Sequence, residues 1–280
     1  MEATGVYYES LAWYLFQNQF SVIVVLPNKA KYYLKSLGFK SKNDKIDAKG
    51  LAYMAIQQNL KLWKPFSESI YQLRHLTRLH QQLQESRTIF RNQLHAYDSG
   101  HMQSDVVQST LQGLISELDT KIKEVNEAVE EALKADPALW EKVQKINTVK
   151  GLGLTSIATI IAETNGFELF NSLAQVVSYA GYDVSENQSG SRTGNQRISK
   201  KGNSRIRRIL FLPAFSVVRY NLKPFSDLYE RVYERSRLKM KAYVAVQRKL
   251  LILVYTLWKR NEEYDPSKYL KKTNTLITSR

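Results

Sequence analysis

Between residues 66 and 135 apolar side chains recur at helical spacing for so long that the fold there has few alternatives. Leu76, Leu83, Phe90 and Tyr97 stand seven residues apart, with Leu73, His80 and Leu94 on the neighbouring seam. After a polar break, "YDSGHMQSD", the residues Val107, Leu111, Leu114, Leu118, Ile122, Val125, Val129 and Leu133 step by three and four. A seven-residue repeat lays one apolar stripe along a helix, and two such helices joined by a short turn bury their stripes on each other. The spacing predicts an antiparallel hairpin with coiled-coil packing over residues 64–140. Its second half is acidic, which disfavours contact with phosphate and suits a spacer or dimerisation arm. The arm divides the chain into residues 1–63 before it and 141–280 after it, and no internal repeat is visible.

The flanking segments have different characters. In the first, "SVIVVLP" (Ser21–Pro27) is a β-branched run ended by proline, the pattern of a buried strand. "YESLAWYLFQN" before it and "NKAKYYLKSLG" after it have helical spacing, and a further helix is expected from about Ser41 to Gln58. The last segment reads as mostly helical and ends in a long basic helix, "KMKAYVAVQRKLLILVYTLWKR". In "VKGLGLTSIATIIAE" the glycines Gly151 and Gly153 open a helix of small and apolar residues. That pattern fits a helix-hairpin-helix turn offering backbone N–H groups to a DNA phosphate, and equally an ordinary helix start after a tight turn. The fold class is α/β followed by all-α.

Charge narrows the partners. The net charge is +15, yet residues 1–188 carry 19 Lys and Arg against 20 Asp and Glu. Residues 189–280 carry 22 against 6, so the whole excess lies in the last third. A folded segment this basic calls for a polyanion, first of all a nucleic-acid backbone and second an acidic membrane surface. The absence of cysteine excludes disulfides and thiolate chemistry and suits a reducing cytoplasm. The apolar runs "IATIIA" and "LLILVY" are too short to span a bilayer, and no secretory leader opens the sequence. No membrane partner is expected.

Two places hold chemistry. Asp44 and Asp47 stand three residues apart at a helix start, where both carboxylates share a face and can approach one Mg²⁺ ion. The competing reading is structural: Ser41 and Asp44 fit a capping box, and acids in a first turn complement the helix dipole. Glu2 offers a third carboxylate. Further on, Ser189–Gly190 lies in a polar, glycine-rich loop with Arg192, Arg197, Lys200 and Lys201 nearby, a basic setting for a serine attacking phosphorus. No general base accompanies it, because His75, His80, His95 and His101 all lie in the arm. "KKGNSRIRRIL" then begins a helix with Arg205, Arg207 and Arg208 suited to phosphate contacts, and Lys239 and Lys241 open the last helix.

Taken in order, "EATG", "KNDKIDAKGLA", "TVKGLGLTSIATIIAE", "YAGYDVSENQSG", "ISKKGNSRIRRIL" and "AYVAVQRKLLILVYTLWK" resemble a DEDD-type insertion-sequence transposase of the IS-one-ten family, which has bridge-RNA-guided members. The resemblance covers essentially the whole chain. It implies a RuvC-like (RNase H-fold) first domain, a coiled-coil arm and a C-terminal transposase domain with a serine nucleophile. Glu2, Asp44 and Asp47 then match Mg²⁺ ligands, and Ser189 the serine that joins covalently to DNA, with Ser191 as the second assignment. Double-stranded DNA at element ends and target, a structured noncoding guide RNA, and a homo-oligomer (dimer or tetramer) are the implied partners. The family's first aspartate lies upstream of Glu2, so the resemblance also implies an N-terminally truncated chain that binds Mg²⁺ poorly and recombines DNA weakly or not at all. The alternatives are a catalytically inactive DNA- or RNA-binding module with a coiled-coil arm, and a Mg²⁺ nuclease without the serine step.

Overall fold

The computed structural model describes residues 1–38, 43–102, 104–168, 170–185, 188–189, 192–193 and 197–268, with the backbone alone between 185 and 197. The chain divides into two compact units, residues 1–67 and 68–280.

The first unit is built on three helices, α1 (Glu9–Gln17), α2 (Pro27–Ser36) and α3 (Asp44–Gln57). Pro27 sits in the first turn of α2, where its missing N–H costs no hydrogen bond, and the helix stops short of Gly38. Its small core is Val25, Ala30 and Met54, with Ile23, Tyr33, Leu51 and Leu60 packed around them. Trp63 takes edge-on contacts from Trp13 and Phe16. The expected strand at Ser21–Pro27 is not a regular strand. Val25 makes one parallel bridge with Glu2, closed by Ala3 N–H to Val25 O and Val25 N–H to Met1 O, and Trp63 N–H bonds Val22 O. A ladder needs successive paired residues, and among the described residues this segment meets only positions 1–3 on one side and a single bond from Trp63. The α/β reading of residues 1–63 is thus realised as helices with one bridge, and the described residues of this unit form no sheet.

The second unit is mostly helical. The arm helices α4 (Glu68–Asp98) and α5 (Asp105–Lys134) pack along each other. Ion pairs from Arg87 and Arg91 to Asp119 hold their middle. Then come α6 (Pro137–Asn147), α7 (Leu154–Thr164), α8 (Leu173–Tyr179), four two-residue strands, and α9 (Ser204–Ile209), α10 (Phe211–Arg219), α11 (Lys223–Ser236) and α12 (Lys239–Arg260). Residues 156–164 of α7 are all buried, so this helix runs through the centre of the unit. Val246, Leu250, Leu251, Leu253, Val254 and Leu257 of α12 contribute to the same core. Leu73 of α4 with Val129 and Leu133 of α5 belong to the same core. The foot of the arm is therefore part of the globular unit, while toward the tip Val107 and Leu114 of the predicted seam are partly exposed.

Candidate functional site

The acidic pair sits where the sequence places it, with a different cap. Asn43 is the N-cap of α3, and its side-chain oxygen accepts the Ile46 N–H at 2.9 Å. The expected cap residue Ser41 lies outside the described residues. Asp44 is exposed and Asp47 half-buried, and both occupy the first turn, where a negative charge complements the helix dipole. Glu2 is half-buried, with the Thr4 hydroxyl donating to its Oε1 at 3.4 Å. Among the described residues no three Asp, Glu, His or Cys side chains gather closely enough to hold a metal ion. Glu2, Asp44 and Asp47 are thus not brought together. The part of this donor set that suits Mg²⁺ is the α3 pair, two hard oxygen donors on one turn.

Ser189 lies in a nested pair of short antiparallel ladders. β1 (Val184–Ser185) pairs with β4 (Arg197–Ile198), and inside it β2 (Gln188–Ser189) pairs with β3 (Arg192–Thr193), Ser189 in register with Arg192. Ser191 lies outside the described residues. The base of this hairpin is tightly determined. Two backbone stretches, 179–183 and 199–203, cross with Asn203 N–H to Tyr179 O at 2.7 Å, Lys200 N–H to Gly181 O at 3.1 Å and Ser199 N–H to Asp183 O at 2.7 Å. A Cβ on Gly202 would stand 2.4 Å from Tyr179 O and 2.6 Å from Gly181 N, so only glycine permits the crossing. Lys200 and Lys201 are exposed beside it.

The arginines after the hairpin have internal partners. Arg207 donates to Ala180 O at 2.7 Å, tying α9 to the crossing. Arg208 pairs with Glu85 on the arm. The Arg205 Nε lies 3.9 Å from Glu163. Lys239 and Lys241 are exposed in the first turns of α12, which carry no acid, so two cations stand at the positive end of a helix dipole.

In the α6–α7 turn, Gly151 has φ +93° and its absent Cβ would meet Ser216 Cβ at 3.1 Å and Val217 N at 3.3 Å. Close packing against α10 therefore requires this glycine for structural reasons. Gly153 caps α7 with open space beside it, and Lys150 lies 4.7 Å from the centre of the Tyr220 ring.

A group without an assigned role in the sequence reading is Glu163, at the end of α7. Its side chain is 1% exposed and accepts two hydrogen bonds from Arg78, 2.7 Å at Oε1 and 3.1 Å at Oε2. Asn203 Nδ2 donates to Oε2 at 2.7 Å, and the Tyr179 hydroxyl donates to the Glu163 backbone oxygen at 2.9 Å. Burial opposes ionisation of this carboxyl, but the bonds and charge of Arg78, with Asn203 and the Arg74 charge, hold it below the usual carboxylate range. The sequence signal for it was a glutamate closing an otherwise apolar run, "IATIIAE".

The comparisons with known proteins agree with one another. Residues 143–230 match the transposase IS116/IS110/IS902 family, and residues 1–98 match the DEDD transposase family of IS110. The pilin gene-inverting protein of Moraxella bovis is 27% identical over 266 residues, 95% of this chain and 81% of that protein. Its counterpart from Moraxella lacunata matches to the same extent. The transposase for insertion sequence element IS1111A of Coxiella burnetii is 23% identical over 266 residues, 86% of this chain and 72% of that protein. These likenesses define an enzyme of DNA transposition and recombination. Two family models, one matching residues 1–98 and the other residues 143–230, agree in likening the chain to IS110 transposases. DNA is the substrate of that class, and no described helix is long and apolar enough to cross a membrane.

Proposed function

We propose that the chain cuts and rejoins insertion-sequence DNA by transesterification through Ser189. The serine oxygen attacks a backbone phosphorus, a P–O bond to one DNA strand breaks, and the strand leaves as a free hydroxyl that takes up a proton. The serine's proton is given up in the same step, so one phosphodiester replaces another with no net proton and no external energy source. Attack by a new DNA hydroxyl reverses the step and releases the serine. The observation that carries this reading is the construction of the serine hairpin: it springs from a glycine crossing fixed by three backbone hydrogen bonds, with Lys200 and Lys201 exposed at its base to meet phosphate charge.

Around that step, Asp44 and Asp47 offer the donors for a Mg²⁺ ion, which when bound stabilises charge on the attacking and leaving oxygens. Glu2 is the third member of the proposed set. The acidic and serine sites of different subunits act together in a homo-oligomer, a dimer or tetramer, and a structured noncoding RNA selects donor and target DNA. The α6–α7 turn at Gly151 and Gly153 contacts one DNA phosphate through the first N–H groups of α7, and Arg192, Arg197, Lys239 and Lys241 add to the basic grip. RuvC-like ancestry for residues 1–63, coiled-coil packing in the arm and action in the bacterial cytoplasm belong to the same reading.

The test is covalent capture of DNA by the full chain. Ser189→Ala is expected to abolish the protein–DNA adduct while leaving DNA affinity within about threefold, since a single hydroxyl contributes little to binding. An adduct retained in Ser189→Ala and lost in Ser191→Ala reassigns the nucleophile. A second reading, an inactive nucleic-acid-binding module, is favoured by the separation of Glu2, Asp44 and Asp47. It predicts DNA affinity with no adduct in any variant.

A further inference from the structure

The buried knot at Glu163 joins three parts of the second unit that are far apart in sequence. From the arm, Arg78 of α4 grips both carboxylate oxygens. From the strap behind the serine hairpin comes Asn203, and this one side chain serves two ends. Its Nδ2 reaches Glu163, while its Oδ1 accepts the N–H groups of Arg205 and Ile206 at 3.0 and 3.2 Å as the N-cap of α9. From α8, Tyr179 bonds the Glu163 backbone oxygen with its hydroxyl and the Asn203 N–H with its own backbone oxygen. Glu163 therefore holds the residue at which the strap 199–203 turns into α9, one residue past the glycine crossing from which the hairpin emerges. Glu85 and Arg208 pair the same two helices, α4 and α9, a second time further along.

A carboxylate buried to 1% exposure, with three internal hydrogen bonds on its two oxygens and Arg205 Nε 3.9 Å from Oε1, is held by the protein rather than offered to substrate. It is also not required for burial as such, since an apolar residue there would pack without needing partners. What the knot supplies is fixed geometry: bidentate Arg–carboxylate bonds set both distance and plane.

We infer that Glu163 is a positioning residue for the serine hairpin, linking arm helix α4 through Asn203 to the strap and the α9 cap beneath Ser189. This rests on the serine reading for its catalytic consequence, though not for its structural one. An arm displaced by DNA or by a neighbouring subunit then shifts the base of the hairpin, and strand cleavage becomes dependent on how the arm is held.

The experiment uses the full chain and a duplex carrying its element's end, with and without RNA transcribed from the element. It measures adduct formation rate, DNA affinity, melting temperature and backbone hydrogen exchange. Glu163→Gln is expected to slow adduct formation by about tenfold or more with DNA affinity within about twofold, and to speed exchange at the amides of Lys200, Arg205 and Ile206. Because Glu163→Gln removes the charge that Arg78 grips and can unfold the chain, Asn203→Asp is the second variant. It keeps an α9 cap and sets a second carboxylate against Glu163, and it is expected to show the same slow adduct formation and fast exchange. The neutral pair Arg78→Gln with Glu163→Gln is expected to recover most of the rate. Wild-type exchange and rate in a folded Glu163→Gln or Asn203→Asp overturn the inference. So do rate losses that follow melting temperature alone with no recovery in the neutral pair. A wild-type chain that forms no adduct refutes the serine reading only, and the exchange data then decide the positioning role by themselves.

Discussion

Asp44 and Asp47 on one side and Glu163 on the other are carboxylates at helix ends, and they live in opposite circumstances. The first two stand at the start of α3, Asp44 exposed and Asp47 half-buried, and among the described residues neither makes an ion pair. Glu163 stands at the end of α7, 1% exposed, with Arg78, Asn203 and Arg205 around it. A carboxylate that keeps its lone pairs in water can be given to a cation or a substrate at modest cost. One that is buried must be answered by the protein, and once answered it is part of the framework. Surroundings, rather than motif position, separate acids that are available to a ligand from an acid that is built into the framework.

The comparison can be broken at its acidic pair first. Asp44→Asn and Asp47→Asn are each expected to lower strand cleavage on the order of a hundredfold, as removal of a charge-stabilising group does. Each is expected to change folding stability by only about 0.3–1 kcal/mol, the worth of a first-turn acid. Cleavage kinetics and denaturant melts on the same preparations check both halves. A large stability loss with normal cleavage would move these aspartates to the structural side.

Acid sharpens the other half. Because the folded chain holds Glu163 below the usual carboxylate range, its contribution to stability is fully present above the unfolded value of 4.5 and is lost as pH falls through the lower, folded value. Melting temperature measured from pH 6 downward is therefore expected to drop below about pH 4.5, and the drop is expected to shrink in the Arg78→Gln, Glu163→Gln pair. An equal drop in both would show that other carboxylates carry the acid sensitivity.

The smallest effect belongs to the exposed cations. Lys239→Gln and Lys241→Gln are expected to weaken DNA binding to a similar degree on every sequence and to lower the salt slope of log affinity by about one each. Salt titrations of binding measure this, and an unchanged slope removes α12's first turns from the interface.

Much of the framework was legible in the sequence. The two arm helices follow from apolar spacing because a long stripe has few ways to be buried, and α12 follows for the same reason. The strand at Ser21–Pro27 was misread because its β-branched run signals burial, while a ladder also needs partners that a local pattern does not reveal. Of the site, Asp44, Asp47 and Ser189 were visible as residue types in a suggestive order. The roles of Arg207 and Arg208 were not, because a run of arginines looks like a phosphate grip until Ala180 O and Glu85 are seen to meet it. Glu163 was invisible as a hub because its partners lie at positions 78, 179 and 203, and only the fold brings them together.

The account stands on the acids of one subunit and the hydroxyl of another serving a single phosphodiester, and mixing two inactive chains tests that directly. Asp47→Asn and Ser189→Ala proteins, each alone unable to recombine an element-bearing plasmid, are combined before DNA is added. Recombination that reappears in the mixture is the predicted result, since some assemblies then pair an intact acidic turn with an intact serine. A mixture as inactive as either parent, under conditions where the subunits demonstrably exchange, would contradict it.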